Sequence, residues 1–109
     1  MNKVLNLIGL AQKAGQVSNG TEAARSSLIN GRAFLLIMSS DIAENTRKDL
    51  LASAEKSGVP WITAGNKDEL GKSIGKEYRV AITINDGGMA KRILSESKMG
   101  AEANSTGVF

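Results

Sequence analysis

The feature that most constrains this chain is Ala33-Phe34-Leu35-Leu36-Ile37-Met38, its longest purely apolar run. Successive side chains of a strand point to opposite faces, so a strand that is apolar at every position has to be covered on both sides. The run is also far too short for the ~20 residues that cross a bilayer. A sheet sandwiched between helices is therefore expected, with Phe34, and Trp61 on a later strand, inside its core.

The flanking sequence supplies those helices. Val4, Leu7, Ile8, Ala11 and Ala14 recur at i, i+3, i+4 and i+7, which predicts a helix over 3–14 closed by Gly15. Gln16-Val17-Ser18 reads as a short extended piece, and Ser18 or Asn19 is placed to cap a second helix reaching about Asn30. Asp41 with Glu44, and Asn66 with Glu69, have the spacing of capping boxes. The first opens a helix to Lys56 with Ala43, Thr46, Leu50, Leu51 and Ala54 facing inward. The second opens a short helix ending near Gly75. Strands are expected at Val59–Ala64 and Arg79–Ile84, and Asn85 or Asp86 caps a last helix through Met89, Ala90, Ile93 and Leu94. Beyond Met99 the pattern dissolves, so 1–98 reads as one domain and 99–109 as a flexible tail. The order α-β-α-β-α-β-α-β-α predicts an α/β fold, a three-layer α/β/α sandwich. Its sheet is small, four-stranded, largely parallel or mixed, with helices on both faces.

Two absences bound the chemistry. The 109 residues contain no His and no Cys, which excludes Cys/His zinc sites and Ser–His–Asp or Cys–His nucleophiles. No disulfide can form, as expected of a protein in the reducing cytoplasm. The apolar start at Val4-Leu5 is interrupted by Asn6 and lacks a cleavage site, so no targeting segment is expected. Catalysis would rest on carboxylates, Lys, Arg or hydroxyls. The expectation moves to a non-enzymatic binding protein with no cofactor, no metal, no small-molecule substrate and no membrane partner.

Three patterns compete for a function. Gly65-Asn66-Lys67-Asp68-Glu69-Leu70-Gly71-Lys72-Ser73 resembles a phosphate-binding loop, but five residues separate its glycines where four are needed. Asp68 and Glu69 would also meet the phosphates. Asp41 and Asp86, each just past the end of a strand, form an alternative: a carboxylate/Mg²⁺ site for phosphoryl transfer or nucleotide binding, with Lys48 or Lys91 nearby. Both acids serve equally well as helix caps, worth about 1 kcal/mol each. A protein-interaction domain using the Met99–Phe109 tail is a further alternative.

The third pattern is Ser18-Asn19-Gly20-Thr21-Glu22-Ala23-Ala24-Arg25. Residues 1–38 hold Lys3, Lys13, Arg25 and Arg32 against the single acid Glu22, whereas 39–109 balance to zero. A cationic excess beside a helix N-terminus with unpaired N–H donors suits a polyanion. Asn, Thr and Glu can hydrogen-bond base edges, and Arg can grip a phosphate or a guanine.

Several blocks resemble the ribosomal protein L-seven-Ae/L-thirty-e superfamily. They are Leu7-Ile8-Gly9-Leu10-Ala11-Gln12-Lys13-Ala14-Gly15, Gly20-Thr21-Glu22, Ser39–Thr46, Glu69-Leu70-Gly71-Lys72-Ser73-Ile74-Gly75-Lys76, and Val80–Ile84 followed by Asp86–Lys91. The likeness runs over about residues 3–95 and is greatest to the small bacterial paralogues. It implies an α/β/α sandwich that binds kink-turn RNA, with the N-terminus of the second helix in the major groove and a loop covering a flipped-out nucleotide. Carried onto this chain, the resemblance assigns base reading to Ser18, Asn19, Gly20, Thr21, Glu22 and Arg25. It assigns the covering loop to Gly75–Arg79, which includes Tyr78, and phosphate contacts to Arg25, Arg32, Lys76 and Arg79. The implied partner is structured RNA, ribosomal or other non-coding, with ribosome association within its scope. The chain departs from the family pattern at Ala23 (usually Glu or Gln), Ser26 (usually Lys) and Gln16 (commonly Lys). Each missing cation removes roughly one released counterion from binding.

Overall fold

The computed structural model describes residues 2–99 and 106–107 and alternates helix with strand along the chain. The helices are α1 (Lys3–Lys13), α2 (Thr21–Ile29), α3 (Glu44–Ser57), α4 (Lys67–Ser73) and α5 (Gly87–Met99). The strands are β1 (Val17–Asn19), β2 (Leu35–Met38), β3 (Trp61–Thr63), β4 (Ala81–Ile84) and β5 (Thr106–Gly107). They form one sheet in the order β1-β4-β2-β3-β5.

The sheet is mixed, and only β2 and β3 run parallel. β4 is antiparallel to both β1 and β2, with Leu35 opposite Ile84 and Met38 opposite Ala81. The reason lies in the segment joining β3 to β4. α4 spans only ~10 Å, and Gly75, at φ +75°, turns the chain back along it. On the return the Arg79 N–H donates to the Lys67 carbonyl at 3.0 Å. The segment therefore delivers β4 to the end of the sheet that β3 had just left, and a parallel entry is impossible.

Alternation along β2 sorts the core into two layers. Leu35 and Ile37 join Val4, Leu5, Ile8 and Ala11 of α1, Leu70 of α4 and Ile93 of α5 on one face. Leu36 and Met38 meet Ala24 and Leu28 of α2 and Leu50 and Ala54 of α3 on the other. All four β2 side chains are fully buried, each contributing roughly 2 kcal/mol of transfer free energy. The three-layer sandwich thus follows from the continuous apolar run.

Several local expectations are corrected. Phe34 is not in the core: it is 51% exposed and its ring lies against Gly87 at the start of α5. β2 begins only at Leu35, which leaves Phe34 at the sheet's rim. Trp61 is half-buried on β3 against the second core layer, with the Arg47 guanidinium 5.4 Å from its ring centroid. Asp41 does not cap α3, which starts at Glu44 after Ala43 without a side-chain cap; Ala43 is exposed. The Asp41 carboxylate instead accepts the backbone N–H of Lys67 at 2.9 Å, at the first residue of α4. α2 is preceded by Gly20 and also lacks a side-chain cap, so neither Ser18 nor Asn19 has that role. The Asn66–Glu69 capping box and the Asp86 cap on the Met89 N–H form as expected. α5 runs on past Leu94 to Met99, and within the segment read as a tail Thr106–Gly107 pairs with β3. The remainder of 99–109 lies outside the described residues.

Candidate nucleic-acid interface

The site is built around one backbone position. At φ +101°, ψ +163°, Gly20 occupies a conformation open essentially only to glycine. Its N–H donates to the Ala81 carbonyl at 3.0 Å, prolonging the β1–β4 ladder, and its carbonyl accepts the Ala24 N–H at 2.8 Å. The chain thereby turns from strand into helix within one residue. With no capping side chain, the first-turn N–H groups of α2 stay open to an outside acceptor. They face a cleft of about 480 Å³ lined by residues 19–23 on one side and 78–80 on the other.

The two sides come from opposite halves of the chain and are tied together by Arg79. Its Nε donates to the Asn19 Oδ1, and its Nη1 donates to the Tyr78 carbonyl at 2.6 Å. Tyr78 is 55% exposed beside the cleft, and the Lys67 Nζ lies 5.7 Å from its ring centroid. Lys67 is a cation that sequence reasoning missed. It sits at the start of α4, and only the return of the loop along that helix brings it next to Tyr78 and Arg79.

Of the residues singled out from sequence, Asn19, Gly20, Thr21, Glu22, Tyr78 and Arg79 share this cleft. The other four point elsewhere. The Ser18 Oγ pairs with the Ser27 Oγ beneath α2 and accepts from the Asn85 Nδ2 at 2.8 Å. The Arg25 guanidinium is held in the seam between α2 and α3 by Asp49 and, at 3.3 Å, by Glu22. The hydrogen bond that Arg25 donates to the Asp49 carboxylate is the main cause that raises its pKa above the ordinary arginine value. Arg32 lies beyond the far end of α2 and reaches back to the Ser27 Oγ at 3.3 Å. Lys76 borders a separate depression of about 330 Å³ with Asp68, Glu69, Lys72 and Glu77.

The competing patterns lose their geometry. Because β2 and β4 are antiparallel, Asp41 and Asp86 follow opposite ends of the sheet, more than ~10 Å apart along the strands. One Mg²⁺ cannot bridge them. Gly71-Lys72-Ser73 belongs to the last turn of α4, where its N–H groups are spent inside the helix rather than curled round a phosphate. Among the described residues no three His, Cys, Asp or Glu side chains are grouped to hold a metal ion. No described helix is long and apolar enough to cross a membrane.

Comparison with known proteins agrees with this architecture. The model of the ribosomal protein L7Ae/L30e/S12e/Gadd45 family matches residues 2–94. The "RNA-binding protein YlxQ" of Bacillus subtilis is 34% identical over 89 residues, covering 82% of this chain and 89% of that protein. The large ribosomal subunit protein eL30 of Methanothermobacter thermautotrophicus is 35% identical over 83 residues, covering 74% and 85%. Among solved structures, a Bacillus halodurans protein of unknown function superposes with a TM-score of 0.85 at 35% identity, covering 88% of this chain and 97% of that one. The Giardia lamblia 15.5kD RNA binding protein shares the fold, with a TM-score of 0.72 at 22% identity over 87% and 84%. A mixed sheet between two helical layers, a glycine-started second helix and a family match over nearly the whole chain lead to one assignment: this protein is a member of the ribosomal protein L7Ae/L30e/S12e/Gadd45 family.

Proposed function

We propose that this protein is a non-enzymatic RNA-binding protein that recognises kink-turn-like structured RNA through the N-terminus of α2. The observation that carries the reading is the cleft shared by Asn19–Ala23 and Tyr78–Val80. Open N–H donors and the positive end of the helix dipole attract a phosphate or a guanine acceptor edge. Gly20 has no side chain to hold the nucleic acid off. Arg79 and Lys67 supply cations beside those donors, and the exposed Tyr78 ring offers a flat apolar face. A regular A-form major groove is too narrow for a helix end, so a bend that opens it is the matching shape.

The relatives named for RNA binding or for the large ribosomal subunit support the same reading. The RNA is structured, ribosomal or other non-coding, and met in the cytoplasm. With the short side chains of Ala23 and Ser26 along the helix start, recognition rests on backbone donors, Asn19, Thr21 and Glu22.

The test is a titration of a labelled kink-turn RNA at ~150 mM salt, against the same RNA with its tandem G·A pairs replaced by Watson–Crick pairs. Preferential binding to the first is expected. Equal, steeply salt-dependent binding to both would leave only general RNA binding, and no binding to either would refute the reading.

A further inference from the structure

We infer that the outer face of α1 docks an acidic amphipathic helix of a partner protein. The cationic excess of the first third of the chain is divided between two surfaces. Arg25 and Arg32 belong to α2 and its end, but Lys3 and Lys13 lie on α1 and neither lines the cleft at Gly20. On α1 the exposed residues Lys3, Asn6, Leu10 and Lys13 follow one another at helical spacing, so they share one face. Leu10 is 54% exposed, whereas Val4, Leu5, Ile8 and Ala11 of the same helix are buried.

Leu10 stands as a ridge between two grooves. The groove against α4, about 550 Å³, is lined by Leu5, Gly9, Leu10, Lys13, Lys72 and Ser73 among others. Gly9 keeps it open at close helix spacing, since a Cβ there would sit 3.0 Å from the Ser73 carbonyl oxygen. The groove against α5, about 300 Å³, has Leu7, Leu10, Met89 and Ile93 as its floor and Arg92 at its rim.

The charges round these floors select the occupant. α1 contains no acidic residue. Both ion pairs among the described residues involve Arg25, so Lys13, Lys72 and Arg92 form none, although Lys72 also borders the depression that holds Asp68, Glu69 and Glu77. The acids at the rims, Glu69 and Asp86, each commit an oxygen to a helix start, accepting the Asn66 and Met89 N–H groups at 2.9 Å. The face is therefore an apolar ridge and two apolar troughs at whose rims the cations Lys13, Lys72 and Arg92 outnumber the acids Glu69 and Asp86. Apolar anchors at helical spacing fit the troughs and flanking carboxylates fit the cations. A nucleic-acid backbone would satisfy the cations and leave the troughs empty.

The test uses the ¹⁵N-labelled full chain and three probes. They are an alanine-based helical peptide of about 14 residues with leucines at i, i+4 and i+7 and glutamates flanking them, an oligoglutamate of the same length, and a short single-stranded RNA. The leucine/glutamate peptide alone is expected to shift the amides of Gly9, Leu10, Lys13, Lys72, Met89 and Arg92. Leu10→Ser and Lys13→Glu are each expected to weaken it by at least about fivefold, with the dispersed spectrum of the folded chain retained. Absence of shifts on this face, or equal response to oligoglutamate, would overturn the proposal. RNA shifting the same amides would make the face a second nucleic-acid surface. Concentration-dependent shifts without any probe would give it to a second copy of the chain. Either result would also overturn it.

Discussion

Gly71 and Tyr78 are in backbone contact: a Cβ placed on Gly71 would stand 2.4 Å from the Tyr78 Cα. That close approach lets the 75–80 segment lie along α4 and carry Tyr78 and Arg79 to the edge of β1. Because the obstructing atoms are backbone, Gly71→Ala cannot be absorbed by a rotamer change. We expect it to destabilise the fold by roughly 1–3 kcal/mol in urea unfolding. It should also lower RNA affinity about tenfold, the equivalent of ~1.4 kcal/mol, as the far wall of the cleft moves away.

Gly20→Ala tests the other wall. At φ +101° any side chain is strained, at a cost of about 1–3 kcal/mol, and the new methyl would stand 3.9 Å from the Arg79 Nε that ties the two sides of the cleft together. RNA affinity should fall more than for Gly15→Ala, where φ is also positive but nothing lies within 4 Å and no cleft is near. Parallel thermal melts separate the common strain from the loss specific to binding.

Arg25 is restrained by Asp49, which approaches from 24 residues away on α3. Arg25→Ala should therefore weaken RNA binding by less than the roughly tenfold expected of an arginine free to grip a phosphate. Asp49→Asn should strengthen it by about two- to fivefold and steepen the dependence of log K on log salt by up to ~0.7–0.9. In the Arg25→Ala background the same change should do much less, which a double-mutant cycle reads directly. The pair raises the Arg25 pKa above an already high ordinary value. The contribution of the pair requires both partners to be charged, and on the arginine side it is lost only in strong alkali, as pH rises through the raised value.

Lys67 and Lys76 should behave differently although both flank the same helix. Lys67 sits over the Tyr78 ring, so Lys67→Ala should lower RNA affinity and reduce the salt slope by nearly one unit. Lys76 borders a depression that also holds Asp68, Glu69 and Glu77, and Lys76→Ala should leave both quantities close to wild type. Titrations at two or more salt concentrations distinguish the two.

The hydroxyls beneath α2 should affect stability and not binding. The buried Thr83 Oγ1 donates to the Asn85 Oδ1 at 3.0 Å, and the Asn85 Nδ2 donates to the Ser18 Oγ. Thr83→Val removes one link and leaves the Asn85 carbonyl short of a donor, a loss of about 1–3 kcal/mol. RNA affinity measured well below the melting temperature should not change, because this network points away from the cleft.

The sequence by itself determined the order of helices and strands as far as α5, the two-sided burial of β2, the Asn66–Glu69 and Asp86 caps, and the segment from Asn19 to Glu22 as the start of a candidate site; β5, in the segment read as a tail, it did not. Each depends on residues within a few positions of one another, where period and cap spacing are local properties. Tertiary structure alone decided the direction of β4, the rim position of Phe34, the partner of Asp41 and the place of Lys67 beside Tyr78. It also decided which cations face the cleft: Arg79 does, whereas Arg25 is held by Asp49, Arg32 reaches Ser27 and Lys76 sits among acids. These outcomes depend on where a turn at Gly75 returns the chain and on which charge a distant helix presents. Nothing in the spacing of neighbouring residues records either.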